Sequence, residues 1–385
     1  MPDSEANISI PDAPDERAAF LLCAILALVL LGGCSTGGNL PEDSSNGAML
    51  GAEVQRTSVF PPSGPTTIGG AVWSFETGHP VLSSPAVTGG TVYVGSGNNL
   101  YAIDARTGQE QWVFETNDSV FSSPAVSGST VYVGSGNNLY AIDTQTGQGQ
   151  WVFKTDGVME SSPAVTGGTV YIGSGNNLYA IDARTGQEQW VFETNDSVFS
   201  SPAVSGSTVY VGSDDTHLYA IDAQTGQEQW VFKTNSTVGS PAVTAGVVYV
   251  GSGNNLYAVD ARTGQGQWAF ETEHWNFSSP AVSGGMVYVG AAKSDDGHLY
   301  AIDTETGKEQ WAWAFESTFW NIVSPVVSSS IVYVGSTDGF LYAIDAGTGQ
   351  KQWSFKTDGM LSSSPSVSGA TLYVGSDDGS LYAVE

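Results

Sequence analysis

Short apolar stretches alternate with turns rich in glycine and asparagine along nearly the whole chain after residue 68. In the segment TVYVGS, Val92 and Val94 point to one side of an extended strand and Tyr93 points to the other. Gly, Asn and Asp residues end most such stretches, as expected for tight turns. After residue 50 no stretch has the 3.6-residue apolar spacing of a helix. The pattern therefore predicts strands and turns throughout.

Four phrases recur in a fixed order: SPAV-like, VYVG-like and LYAID-like segments, and a segment that contains a tryptophan. Each phrase occurs eight times. Four short strands in a unit of about 40 residues form one blade of a propeller. The sequence therefore predicts an all-β, eight-bladed β-propeller over residues 69–385. The motif tryptophans, which we expect to dock the blades together, are Trp73, Trp112, Trp151, Trp190, Trp230, Trp268, Trp311 and Trp353.

The phrase AIDARTGQEQW, residues 102–112, explains how blades are joined. The Asp104 carboxylate can accept N–H bonds from the turn that follows, Gly108 can adopt a positive φ, and Trp112 supplies a large apolar plug. The phrase resembles the tryptophan-docking motif of PQQ-like (pyrrolo-quinoline quinone) repeats, which occur in quinoprotein dehydrogenases and in the propeller lipoprotein of outer-membrane-protein assembly. The resemblance covers the whole repeat region and implies that Ala102, Gly108 and Trp112 lock adjacent blades.

One copy of the repeat is split between the two ends of the region. Trp73 has no repeat strands before it, and the last LYAID-like segment has no turn or tryptophan after it. We expect the strand that holds Trp73 to pair beside the last strand, which closes the ring and removes its open edges. Glu385 replaces the motif Asp there, so we expect this seam to be the weakest junction.

The N-terminal segment predicts export. Residues 18–33 form an apolar run that is shorter than the roughly 20 residues of a membrane span and suits the core of a signal peptide. LGGC, which ends at Cys34, resembles the lipobox of envelope lipoproteins and implies lipidation of that cysteine. We expect a lipoprotein signal peptide over 1–33, a flexible Gly/Ser/Pro tether over 34–68, and a membrane-anchored, extracytoplasmic propeller over 69–385. An uncleaved anchor helix is the alternative.

Composition narrows the range of partners. The net charge is −28 although only 13% of residues are charged, because Lys and Arg are scarce. This acidity argues against nucleic acid, whose phosphates need a basic surface. The two cysteines, Cys23 and Cys34, both lie in the N-terminal segment. The propeller therefore contains no cysteine for a disulfide, a metal site or a nucleophile.

Loop lengths distinguish the two faces of the predicted ring. The SPAV–VYVG and LYAID–Trp turns keep one length, whereas the VYVG–LYAID and Trp–SPAV connections vary, and strand order places all variable connections on one face. Histidines and off-motif tryptophans cluster there, which is typical of a binding surface. We expect a binding patch without a metal ion; a metal held by the two histidines, or mere packing of long loops, is the alternative. The patch consists of His274, Trp275, Asp295, Asp296, His298 and Trp320.

Near-identical blades argue against catalysis. Residues 91–135 and 169–213 differ only at Val94 and Ile172, whereas an active site brings unlike residues to one point. The domain also lacks the cysteines and long insertions that the resemblance associates with quinoprotein dehydrogenases. We expect a monomeric, non-catalytic scaffold for protein partners at the cell envelope, without a cofactor. The alternatives are a PQQ- and calcium-binding quinoprotein dehydrogenase and a glycan- or polymer-binding surface protein.

Overall fold

The protein folds into a ring of eight antiparallel, four-stranded blades. The first strands of successive blades contact one another around the central axis, so the predicted all-β, eight-bladed propeller is confirmed. The predicted signal peptide and Cys34 lie outside the part of the chain described here. No helix in the described part has the length and apolar character needed to cross a membrane. The structure, a computed structural model, describes residues 59–60, 64–275, 277–294, 296–315 and 322–385.

Each blade runs from an innermost to an outermost strand, and blades are numbered 1 to 8 in chain order. The innermost strands are Ala86–Thr88, Ala125–Ser127, Ala164–Thr166, Ala203–Ser205, Ala242–Thr244, Ala281–Ser283, Val326–Ser328 and Ser366–Ser368. The second strands are Thr91–Ser96, Thr130–Ser135, Thr169–Ser174, Thr208–Gly212, Val247–Ser252, Met286–Lys293, Ile331–Gly335 and Thr371–Gly375. The third strands are Asn99–Asp104, Asn138–Asp143, Asn177–Asp182, His217–Asp222, Asn255–Asp260, Asp296–Asp303, Phe340–Asp345 and Ser380–Val384. The outermost strands are Glu110–Glu115, Gly149–Lys154, Glu188–Glu193, Glu228–Lys233, Gly266–Glu271, Glu309–Ala314, Lys351–Lys356 and, for blade 8, Ala71–Glu76.

The core lies between the blades. Second strands are buried on both faces: in blade 1, Val92 and Val94 are fully buried and Tyr93 is nearly so. This follows from the alternating apolar pattern, because each sheet face is covered by a neighbouring blade. Outermost strands alternate between exposed and half-buried positions, since their outer edge faces solvent.

Docking tryptophans join each blade to the next. The Trp112 ring packs on Gly147 of blade 2, where a Cβ atom would lie 2.8 Å from the indole. Its Nε1 donates to the carbonyl oxygen of Thr144 at 2.9 Å. The same bond forms at Trp73, Trp151, Trp190, Trp230, Trp268 and Trp311. Nε1 of Trp353 is buried but has no acceptor among the described residues.

The Asp of the repeated phrase organises the turn, as predicted. Thr107 donates to Oδ1 of Asp104 from both its hydroxyl and its amide, at 2.7 and 2.8 Å. These bonds favour the carboxylate and lower the pKa of Asp104. Gly108 has a φ of 71°, the left-handed conformation that this turn requires.

Ring closure uses the pairing predicted from the split repeat. In blade 8 the strand Ala71–Glu76 pairs antiparallel with Ser380–Val384, and Trp73 lies opposite Ala383. On the inner side, the amide of Ser364 in blade 8 donates to Oγ of Ser84 in blade 1 at 3.1 Å. Equivalent serine contacts link most of the other junctions.

Part of the segment expected to act as a tether lies against blade 7. Val59–Phe60 pairs parallel with the innermost strand Val326–Ser328. The amide of Gly64 donates to Oγ of Ser328 at 3.1 Å, and the Tyr333 hydroxyl donates to the Pro65 carbonyl at 2.8 Å. Contacts with the ring therefore begin before residue 69, whereas the division of the chain at 33 and 68 remains a prediction.

Candidate functional site

The connections between blades lie on one face of the ring. In the connection between blades 1 and 2, the amides of Thr116 and Val120 donate to the carbonyls of Asn98 and Gly97, both at 2.8 Å, so the connection rests on the turn between the second and third strands. Both classes of variable connection therefore share a face, as their lengths predict. We call this the loop face. Its inter-blade connections, as far as they are described, are 77–85, 116–124, 155–163, 194–202, 234–241, 272–275, 277–280, 322–325 and 357–365.

The loop face exposes large apolar side chains. Trp275 is 53% exposed and Phe121 is 51% exposed. Within the described residues, the other exposed large apolar side chains lie on outermost strands or at Ile68, and none lies in the turns of the opposite face. Six of the eight inter-blade connections contribute one: Leu82, Phe121, Val158, Phe199, Trp275 and Met360.

Blade 6 has the longest hairpin on this face. Its second and third strands each contain eight residues, whereas the corresponding strands of the other blades contain five or six. Trp275 and Ala292 exchange two backbone hydrogen bonds of 3.0 Å, which attaches the neighbouring connection to the extended hairpin. This pairing brings His274, Asp296 and His298 together.

Three side chains converge at this point. His274 Nε2 lies 3.1 Å from His298 Nδ1 and 3.2 Å from an Asp296 carboxylate oxygen. The other Asp296 oxygen lies 3.4 Å from His298 Nδ1. On its far side, His274 Nδ1 lies 2.8 Å from the Tyr300 hydroxyl. The arrangement presents two imidazole nitrogens and a carboxylate at one point.

Burial differs across the cluster and shifts the pKa values of His298 and Tyr300. His274 is buried, His298 is half-buried and Asp296 is exposed. Desolvation and the neighbouring His274 lower the pKa of His298, so its imidazole is neutral at pH 7. Burial, followed by the nearby carboxylates, raises the pKa of Tyr300 to about 12. The cluster thus contacts a neutral phenol on its buried side and exposes a carboxylate to solvent on its other side.

Four of the six predicted patch residues meet here. The structure brings together His274, Trp275, Asp296 and His298, whereas Asp295 and Trp320 lie outside the described residues. Tyr300 was not among the predicted patch residues, because this tyrosine belongs to the repeated LYAID-like phrase and occurs in every blade. Its special role comes only from its neighbour His274.

A polar cleft opens at the axis on the same face. It has a volume of about 530 Å³ and is bordered by five successive inter-blade connections. Its described lining contains several serines and Asp214 but no Lys or Arg. Burial, together with neighbouring carboxylates, raises the pKa of Asp214. The cleft therefore offers hydrogen bonds but no cation.

Three solved structures show the same fold. BamB from Moraxella catarrhalis is 21% identical with a TM-score of 0.69, over 82% of this chain and 99% of that one. The quinohemoprotein alcohol dehydrogenase ADHIIG from Pseudomonas putida HK5 is 17% identical with a TM-score of 0.74, over 89% and 80%. The quinohemoprotein alcohol dehydrogenase from Comamonas testosteroni is 18% identical with a TM-score of 0.73, over 88% and 80%. At these identities the similarity concerns the fold alone.

No curated protein matches the chain. A family model does match it, and this match is more specific than the similarity of fold. The family described as outer membrane protein assembly factor BamB matches residues 66–190, 154–271, 233–318 and 295–385. These matches together span the whole propeller and carry its PQQ-like repeats. The chain therefore belongs to the family of outer membrane protein assembly factor BamB, a family of PQQ-repeat propellers.

Proposed function

We propose that the protein is a non-catalytic interaction scaffold, anchored by a lipid at the cell envelope, and that the loop face binds its protein partner. The observation that carries this proposal is the set of six exposed apolar side chains on the loop face. Solvent-exposed apolar groups that gather on one face mark interaction surfaces, and aromatic residues are enriched in them. The family description, an outer-membrane assembly factor, supports the envelope as the setting.

The principal alternative is a quinoprotein dehydrogenase, because two such enzymes share the fold. PQQ is an anion with several carboxylate groups, and burial of such groups requires paired cations. The described lining of the axial cleft contains Asp214 and no Lys or Arg. These residues do not fit PQQ.

The scaffold proposal is tested by site-specific photo-crosslinking in the host cell with the full-length chain. A crosslinker is placed at Trp275 or Phe121 on the loop face, and at the exposed Gln145 on the opposite face as the matched control. We expect one envelope protein to be trapped from both loop-face positions and not from Gln145. Equal trapping from all three positions, or none from the loop face, would contradict the proposal.

The enzyme alternative is tested by a melting curve of the full-length chain with PQQ and Ca²⁺. A ligand that binds the folded state raises the melting temperature by mass action. We expect no saturable increase. A saturable increase, followed by dye reduction with alcohols or sugars, would replace the scaffold proposal with a dehydrogenase.

A further inference from the structure

We propose that blade 6 binds a divalent transition metal ion of the zinc class through His274 Nε2, His298 Nδ1 and the Asp296 carboxylate. The proposal is independent of the scaffold function, because it rests on the side-chain geometry of one blade. It replaces our sequence-based expectation that the patch contains no metal ion.

The donor atoms have the spacing of metal ligands. Zinc lies about 2.0 to 2.2 Å from nitrogen and carboxylate oxygen ligands. At tetrahedral or octahedral angles, two ligands on the same ion are therefore about 3 to 3.5 Å apart. His274 Nε2 and His298 Nδ1 are 3.1 Å apart, and two different Asp296 oxygens lie 3.2 Å from the first nitrogen and 3.4 Å from the second. One ion beside the two nitrogens can therefore contact the carboxylate through one or both of its oxygens with little rearrangement.

The Tyr300 hydroxyl contacts His274 from its buried side and orients the ring. Metal-bound histidines usually donate their other ring N–H to an oxygen, which fixes the tautomer and the ring orientation. The 2.8 Å contact between His274 Nδ1 and the Tyr300 hydroxyl provides this partner. With Nδ1 protonated, Nε2 carries the lone pair and points to His298 and Asp296. Tyr300, whose position is a tyrosine in every blade, thus orients the buried His274 for metal binding.

The ligand set selects the class of metal. Imidazole suits Zn²⁺, Ni²⁺, Cu²⁺ and Fe²⁺, whereas Ca²⁺ and Mg²⁺ prefer oxygen ligands alone. Three protein ligands leave a position for water or for a group on another molecule. The Asp296 side chain is 65% exposed, so the site opens to solvent on the loop face beside Trp275.

Two histidines in other parts of the ring serve as controls for the variants of blade 6. His79 occupies the position of His274 in the connection that precedes blade 1, and His217 occupies the position of His298 in blade 4. Neither of these two histidines has a histidine partner among its described contacts. At the same positions other blades carry Ser236 and Asn255. Replacing His274 by Ser and His298 by Asn therefore copies residues that the fold already accepts.

The deciding experiment is calorimetric titration of the metal-stripped, full-length chain with Zn²⁺. We compare the wild type, the double variant His274→Ser/His298→Asn and the matched control His79→Ser/His217→Asn. We expect one saturable site in the wild type and in the control. The blade 6 variant should bind at least about 100-fold more weakly, because loss of supporting ligand contacts alone costs 10- to 100-fold.

Two further readouts separate this result from misfolding. Co²⁺ should give a visible ligand-field spectrum in the wild type and in the control but not in the blade 6 variant. In chelator, all three proteins should melt at similar temperatures, and Zn²⁺ should raise the melting temperature only of the wild type and the control. The proposal is wrong if Zn²⁺ does not bind saturably, or if the blade 6 variant binds it as tightly as the control.

Discussion

At the scale of single residues, one hydrogen bond distinguishes Trp353 from an otherwise similar docking tryptophan. Trp190 and Trp353 are 9% and 8% exposed, but only Trp190 has an acceptor, the Ala223 carbonyl at 3.0 Å. We expect Trp190→Phe to lower the free energy of unfolding by about 1 kcal/mol more than Trp353→Phe, since only the first change breaks a hydrogen bond; the Ala223 carbonyl keeps its bond from the Tyr171 hydroxyl at 3.1 Å. Denaturant unfolding of both variants measures the difference, and equal losses would contradict it.

The same residues show what the sequence could and could not predict. The repeat predicted that Trp73 docks and that Asp104 holds its turn, because Asp104 bonds within its own phrase and Trp73 packs on the copy of that phrase in blade 1. It also predicted a weak seam at Glu385. The acceptors of the other docking tryptophans directly follow the motif Asp of the next blade, as Ala223 follows Asp222. Glu385 occupies that Asp position in blade 8, so the missing hydrogen bond of Trp353 lies at the predicted seam. That this junction is the weakest remains a prediction.

At the scale of strands, the closing strand differs from every other outermost strand in how it is attached. Ala71–Glu76 is held to blade 8 by its ladder with Ser380–Val384 and by the flanking backbone bonds of Gly70 and Thr77, whereas Gly149–Lys154 also follows its ladder partner through a short turn. The Phe75 ring packs on Tyr101 of blade 1, and the Phe153 ring packs on Tyr179 of blade 3. The ring centroids are 5.5 Å apart in the first pair and 5.6 Å apart in the second.

We therefore expect Phe75→Ala to lower the melting temperature more than Phe153→Ala. Both changes remove a similar half-buried ring, which makes the transfer cost comparable, but only the first loosens a strand that no turn joins to its ladder partner. Hydrogen exchange should show faster opening of Ser380–Val384 in Phe75→Ala, while the paired strand of blade 2 in Phe153→Ala stays better protected. Equal losses, or a larger loss in Phe153→Ala, would contradict this prediction.

The hairpin of blade 6 marks the limit of prediction for strands. The sequence showed an insertion there and predicted a variable loop. In the structure the insertion lengthens both strands to eight residues, because its alternating residues continue the ladder as far as Lys293 and Asp296. That extension allows Trp275 to pair with Ala292, and no local pattern in either segment indicates this pairing.

At the scale of the whole molecule, repetition made the fold predictable and the site unpredictable. Eight copies of four phrases leave few arrangements other than a closed ring, so the architecture followed from period and pattern. The candidate site depends on His274 from a connection and His298 from a strand, which are close only because of one pairing between Trp275 and Ala292. A unique site in a repeated fold arises where a copy departs from the repeat.

The charge of the whole chain leads to a final prediction. Asp and Glu number 39 against 11 Lys and Arg, so the compact state is destabilised by repulsion between its own carboxylates. Salt screens charges separated by more than the Debye length, about 10 Å at 0.1 M.

We expect the melting temperature at pH 7 to rise as NaCl is increased from about 0.01 to about 0.5 M, over which the Debye length falls from about 30 Å to a few ångströms. The rise should be smaller near pH 4, where exposed carboxylates become protonated. The prediction is contradicted if the melting temperature at pH 7 does not change with NaCl, or if it rises equally at both pH values. Either result would show that repulsion between the acidic groups does not measurably destabilise the folded ring.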